Sequence, residues 1–247
     1  MHLLPSQICA HRGASGTAPE NTMAAFERAC ALPVGSIEFD ISLLGDGALM
    51  VHHDGDLGRT IRATGNLAQM RQSDFDDLDA GSWFGAEFAS ERVPTLRAVL
   101  ALLARYDKEP VLDVKLHGDE SEAFAAALAS ELALPAHQLQ NPLVTSFSRE
   151  FLVAFRKHAP TARLGYLDEP LPSDWQAFCD EIDAEAVHLD YSRTSPDEVA
   201  AVRASGRDIR FYTVNDPDAV QAHFEAGLTA VISDFPDRFF QAPSKPL

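Results

Sequence analysis

Eight short apolar runs separated by helix-patterned stretches thread most of this 247-residue chain, and that alternation narrows its fold more than any other feature. The runs cover residues 8–11, 37–41, 111–115, 143–146, 163–167, 186–189, 209–214 and 230–233. Segments 21–31, 95–106, 120–131 and 148–157 carry apolar residues at three- and four-residue spacing, the signature of an amphipathic helix. Ser195 with Pro196 and Glu198 reads as a helix start, and Gly206 as its stop. Asp216-Pro217 opens another helix that Gly227 ends. Strands alternating with helices at this density imply a parallel sheet. Eight such units in a chain near 250 residues imply an α/β fold of the (β/α)8 TIM-barrel type.

Residues 49–53 break the rhythm, because only Gly45-Asp46-Gly47 separates them from the preceding run. Parallel strands need a crossover of about a dozen residues, so a loop this short returns antiparallel. A two-residue loop centred at 45–46 or 46–47 sets His53 opposite Glu38 or Asp40 and on their face; a three-residue loop shifts the pairing by one. Residues 54–94 fit no barrel unit, yet hold Leu57, Leu67, Phe75, Leu78, Trp83, Phe84 and Phe88. A stretch this long is not expected to be a bare loop. It is read as a small insertion on the catalytic face of a single domain spanning 1–247, with Trp83 and Phe84 either in its own core or flanking a pocket entrance.

Charge and composition exclude several classes. The net charge of −17 repels nucleic acid and anionic membrane surfaces. An anionic substrate then needs local positive charge from a cation or from Arg and Lys. Nothing approaches the roughly 20 apolar residues of a membrane span, and no basic-then-apolar leader is evident. Cys9, Cys30 and Cys179 form no CxxC or zinc spacing, which suits a reducing compartment, with Cys9 a small core residue. A cytoplasmic enzyme without stable membrane association is expected.

Barrel enzymes place functional groups at the C-terminal ends of their strands. His11 and Arg12 end the first run, Glu38 and Asp40 share one face of the second, His53 ends the hairpin return, and Asp113 and Lys115 share a face of the third. Clustered carboxylates are costly to bury unpaired, and a divalent cation on Glu38, Asp40 and Asp113 would resolve that cost. Oxygen-only ligands favour Mg²⁺ or Ca²⁺ over zinc.

The ordered segments His11-Arg12-Gly13, Pro19-Glu20-Asn21-Thr22, Ile37-Glu38-Phe39-Asp40, His53-Asp54, Asp113-Val114-Lys115, Ser146-Phe147, Tyr212-Thr213-Val214-Asn215 and Ser233-Asp234-Phe235-Pro236 resemble the glycerophosphodiester phosphodiesterase family, particularly its compact bacterial cytosolic members. The resemblance implies a (β/α)8 barrel with a small insertion after His53-Asp54. It implies His11 and His53 as catalytic histidines, and Glu38, Asp40 and Asp113 as metal ligands. Arg12 and Lys115 would contact phosphate, and Glu20 would support them from behind. Two departures matter: Asp113 stands where the family usually has Glu, and Tyr212 where many members have Trp, either of which can wall the glycerol. The implied reaction is metal-dependent hydrolysis of small glycerophosphodiesters to glycerol 3-phosphate and an alcohol. One histidine would act as base and the other as acid, His11 being the first choice for base although the sequence does not separate the roles.

Two alternatives stand beside this reading. One is a lysophospholipase D-like or phosphoinositide-type barrel acting on lipids. The other is a noncatalytic binding module that has lost metal affinity, for which the Asp113 departure is the support. His52 is expected to be structural, Asn215 and Asp216 to be loop and cap residues, and His117, His137, His158 and His223 to be solvated. Head group, metal and oligomeric state are not legible in the sequence.

Overall fold

A computed structural model describes residues 2–134 and 141–240. Nine strands form one sheet: β1 (Ile8–His11), β2 (Ser36–Leu43), β3 (Leu49–Met50), β4 (Glu109–Lys115), β5 (Leu143–Ser146), β6 (Arg163–Asp168), β7 (Ala186–Asp190), β8 (Asp208–Tyr212) and β9 (Ala230–Ser233). The order β1-β9-β8-β7-β6-β5-β4-β2, closed by β1 pairing with β2, makes an eight-stranded parallel barrel, with β3 hanging antiparallel on β2. The expected (β/α)8 architecture is therefore the observed one. Strands covered on both faces read as continuous apolar runs. Cys9, Val111, Leu143, Ala186 and Ile232 pack together as one cluster. Residues such as Ile37, Phe39, Leu112 and Val144 pack with the helices in the main core.

The helices are α1 (Met23–Cys30), α2 (Leu96–Arg105), α3 (Ser121–Leu132), α4 (Arg149–His158), α5 (Trp175–Glu181), α6 (Pro196–Ala204) and α7 (Gln221–Glu225). Side chains of Thr22, Thr95 and Ser148 accept the free amides at the starts of α1, α2 and α4. Ser195 and Glu198 form a reciprocal capping box on α6. Gly206, at φ +87°, takes the left-handed position that stops that helix. Helix α5 was not expected, and the strand expected over 209–214 ends at Tyr212.

The hairpin corrects the expected register. Ser42 pairs with Met50 and Leu43 with Leu49, and the Leu44 amide donates to the Ala48 carbonyl at 2.9 Å. The loop therefore holds three residues, with Gly47 in the left-handed region at φ +84°. Pairing stops at Met50, so ladder register does not place His53. Beyond it, segment 54–94 contains short 3-10 turns at Leu67–Gln69, Gln72–Phe75 and Ala86–Phe88. Ile61, Leu67, Phe75 and Ala80 pack with Leu44 and Met50 into a small core of their own. Trp83, Phe84 and Phe88 meet edge to face, and Phe88 seats against Ala18 and Ala25.

Candidate active site

Local geometry around Arg12 explains the first two motifs. Arg12 lies at φ +52° and Gly13 at φ +81°, turning the chain sharply off the barrel rim. A Cβ on Gly13 would sit 2.6 Å from the backbone of Ala25, so only glycine fits there. The turn aims the Arg12 amide at Glu38 Oε2, 3.0 Å away. The Arg12 guanidinium reaches Glu20 at 2.8 Å and Asp40 at 2.9 Å. Three consecutive residues then take three tasks: Glu20 holds Arg12, the Asn21 amide donates to Asp40 Oδ2 at 2.7 Å, and Thr22 caps α1.

Strand register assembles the carboxylates. Asp40 and Asp113 are neighbours across the β2–β4 ladder, with Glu38 one pleat below Asp40. One oxygen from each of the three lies within 4.8 Å of the others, and all three residues are buried. Lys115 Nζ is 2.6 Å from Asp113 Oδ2 and 3.4 Å from Asp40 Oδ1. Asp40 Oδ1 and Asp113 Oδ1 have no hydrogen-bond partner among the described residues. Burial, reinforced by the neighbouring Asp40, pushes Glu38 up to about 7. Burial also raises Asp113, although Lys115 opposes it. For Asp40 burial is outweighed by Arg12 and Lys115, which hold the carboxyl well below the usual range. Two buried oxygens without hydrogen bonds beside a carboxyl that resists ionising fit a hard cation. Asp113, one methylene shorter than a Glu, still brings an oxygen to the common point.

Each imidazole is braced through Nδ1 by a carboxylate. His11 Nδ1 lies 2.6 Å from Asp234 Oδ1, and Asp234 accepts from Ser15 Oγ and Asn215 Nδ2, each at 2.8 Å. His53 Nδ1 lies 2.6 Å from Asp54 Oδ1. Arg59, from the insertion, donates to Asp54 at 2.7 Å and to both oxygens of Glu20 at 2.8 Å. With Nδ1 donating, Nε2 of each ring carries the lone pair. Burial disfavours the charge on His11, but the Asp234 hydrogen bond and Glu38 outweigh it and raise its affinity for a proton.

His11, Arg12, Glu38, His53, Asp113 and Lys115 all line one cavity of about 200 Å³, with Asp40 directly behind. Its opposite wall includes Phe147, Leu167, His188 and Tyr212. Phe147 and Tyr212 meet edge to face at 6.0 Å, and Lys115 Nζ stands 5.6 Å from the Phe147 ring. A larger groove of about 660 Å³, bordered by Ala48, Arg97 and Glu131, holds no comparable cluster.

The nine residues singled out from the sequence thus meet at the mouth: eight line the cavity or stand directly behind it, and Glu20 braces Arg12. Sequence reasoning missed the bracing set of Asn21, Asp54, Arg59, Asn215 and Asp234, together with Phe147 and His188. Asn215, expected to be a loop residue, fixes Asp234. Three other histidines are also placed. His52 is buried, and burial pushes it down to about 4, in keeping with a structural residue. His117 bonds Ser42 Oγ at 3.0 Å and His223 bonds the Thr194 carbonyl at 2.9 Å, so neither is simply solvated as expected. His137 lies outside the described residues.

A (β/α)8 barrel with a carboxylate trio, two aspartate-braced imidazoles and two cations at its mouth has the equipment of a phosphodiester hydrolase. Comparison with known proteins specifies which. Residues 11–238 match the glycerophosphoryl diester phosphodiesterase family. A glycerophosphodiester phosphodiesterase of Caldanaerobacter subterraneus subsp. tengcongensis is 31% identical over 235 residues, covering 93% of this chain and 94% of that one. Another, from Bacillus subtilis, is 31% identical over 257 residues, covering 96% and 87%. Among solved structures, a phosphodiesterase of Oleispira antarctica in complex with the product sn-glycerol-3-phosphate superposes with a TM-score of 0.90 at 32% identity, covering 94% of each chain. The chain belongs to the glycerophosphoryl diester phosphodiesterase family, and glycerophosphodiester hydrolysis is its activity.

Proposed function

We propose that this single catalytic domain, with residues 54–94 inserted in it, cleaves glycerophosphodiesters to sn-glycerol 3-phosphate and a small alcohol such as choline or ethanolamine. The observation that carries the residue assignments is the opening of two aspartate-braced imidazoles, His11 and His53, onto the cavity that also holds Glu38 and Asp113. Glu38, Asp40 and Asp113 would hold Mg²⁺ or Ca²⁺, whose choice of oxygen donors fits theirs. When bound, the cation supplies Lewis-acid polarisation of a phosphoryl oxygen.

The chain's own residues supply the rest. Arg12 and Lys115 place positive charge where negative charge grows on the phosphoryl group, preorganised by their ion pairs. One Nε2 takes the proton of the attacking hydroxyl, either water, or the substrate's own glycerol 2-hydroxyl to give a cyclic phosphate that water then opens to glycerol 3-phosphate. The other, protonated, returns a proton to the departing alkoxide. Asp234 and Asp54 keep both rings turned for this exchange. Tyr212 and Phe147 wall the organic part of the substrate. Roughly 300–1,000 Å³ is usual for pockets taking drug-sized ligands, so a cavity of about 200 Å³ favours a small polar substrate over an acylated lipid. Among the described residues no helix is long and apolar enough to cross a membrane. Three buried, unpaired cysteines support a reducing, cytoplasmic location.

The test is chelator-stripped protein assayed on glycerophosphocholine and on lysophosphatidylcholine, before and after adding Mg²⁺ or Ca²⁺. Metal-restored release of glycerol 3-phosphate, with glycerophosphocholine preferred, is expected. Preference for the acylated substrate would move the assignment to a lysophospholipase D-like enzyme. Absence of turnover with both metals would leave a noncatalytic barrel.

A further inference from the structure

A bound cation would satisfy the Asp40 and Asp113 oxygens that lack hydrogen bonds, and two aspartates satisfy Nδ1 of His11 and of His53. Among the described residues, one fully buried side chain on the cavity wall then has no hydrogen bond at either of its polar atoms. His188, in the middle of β7, is fully buried, and neither ring nitrogen has a hydrogen-bond partner among the described residues. It nevertheless borders the cavity. In the closed ring β7 is the fourth strand from β2 in either direction, so His188 faces the carboxylates from directly across the barrel. Of its neighbours on that wall, Leu167 and Ile232 are hydrocarbon, the hydroxyls of Thr145 and Tyr212 already donate to the carbonyls of Leu112 and Asp168, and Thr213 is only partly buried.

A histidine that merely fills core normally has at least one ring nitrogen bonded, because buried polar groups without partners are costly. Both nitrogens of His188 lack one. Burial first, and then the charge of Arg210 in register beside it, keep this imidazole neutral. Arg210 is itself engaged by Glu109 at 3.1 Å. A neutral imidazole presents one donor and one acceptor. A hydroxyl, which gives and takes one hydrogen bond, complements it whichever nitrogen carries the proton. An anionic oxygen could only accept and an ammonium group only donate, whereas a hydroxyl serves whichever nitrogen faces the cavity.

We propose that His188 is a positioning residue that reads a free hydroxyl of the substrate's glyceryl group, the ligand supplying the hydrogen bond that the chain does not. This rests on the glycerophosphodiester reading and deepens it. Phosphate is held on the β1, β2 and β4 side, while β7 selects the polyol attached to it. A site built to bond a hydroxyl rejects an analogue lacking it far more strongly than a hydrocarbon wall rejects a missing methylene.

The experiment compares metal-loaded wild type, His188→Phe and His188→Asn on glycerophosphocholine and on bis(p-nitrophenyl) phosphate, which has no glyceryl hydroxyl. For His188→Phe, kcat/KM on glycerophosphocholine is expected to fall about tenfold or more, mostly through KM, with the nitrophenyl diester changed less than about twofold. His188→Asn, which keeps a donor and an acceptor, should recover part of the loss. Inhibition of the unmodified enzyme by glycerol 3-phosphate and by n-propyl phosphate adds a measurement independent of variant folding, the glyceryl compound being expected to bind about tenfold tighter. Equal losses on both diesters, or equal inhibition by both phosphates, would overturn the assignment. Wild type inactive on glycerophosphocholine would instead break the functional reading on which it stands.

Discussion

One strand carries two ionic clusters of opposite character. Glu109 begins β4, and Asp113 lies on the same face two pleats further on. At the base Glu109 meets Arg163 through Oε1 and Arg210 through Oε2, and Glu185 takes Arg163 as well. Burial works against the charge of Glu109, but Arg210 and Arg163 outweigh it and hold the carboxyl below its ordinary range. Two carboxylates there answer two guanidiniums. At the mouth three carboxylates answer Arg12 and Lys115, two of their oxygens stay without a hydrogen bond among the described residues, and Glu38 is pushed up to about 7. The base has satisfied its own charges and closes the barrel. The mouth leaves a deficit that a proton on Glu38 or an outside cation offsets. Unbalanced charge, rather than charge itself, marks the working end.

That contrast can be broken from either end. The largest effect is expected at the imidazoles: His11→Ala and His53→Ala should each lower kcat on glycerophosphocholine by about 10²- to 10⁴-fold with the melting temperature nearly unchanged, checked by kinetics alongside thermal melts. Near-native kcat in His53→Ala would remove the proposed acid–base pair. Next comes the base. Glu109→Gln strips two arginines of their shared partner and should cost about 1–3 kcal/mol of stability in denaturant titrations, while kcat stays close to wild type. Asp113→Asn should do the reverse in metal-free protein, stabilising it by relieving repulsion while weakening metal binding. The smallest effect is in pH. Metal-free, Glu38 keeps its proton up to about 7 rather than the ordinary 4.5, so its contribution to stability is present at low pH and is lost as pH rises through that window. A cation must displace that proton. Apparent metal affinity in calorimetric titrations should therefore strengthen about tenfold per pH unit up to 7 and level off above it. A flat profile would mean that Glu38 is not among the ligands.

Much of the fold was legible because a barrel repeats its instructions. Each buried strand is a short apolar run, and Ser195, Gly206 and Gly227 punctuate the helices between. Helix α5 escaped because it is seven residues long and Asp174 before it makes no capping bond. The hairpin register depended on whether Gly47 joined the loop, a single left-handed residue that hydrophobic pattern cannot count. Within the site, residues on shared strand faces were readable from period-two spacing alone. The braces were not, since Asp234 meets His11 from 223 positions away and the meaning of that contact exists only once the barrel closes. His188 sat inside an apolar run, where nothing in the pattern separates a core histidine from an unpartnered one.

Arg59 acts as a fastener. Its single planar head grips Asp54, which aligns His53, and Glu20, which steadies Arg12. An imidazole and a guanidinium carried by different parts of the chain are thereby tied to one side chain of the inserted segment. Loosening that segment would release the brace on His53 and the brace on Arg12 together, so the two side chains cannot drift independently as loops around the rim change.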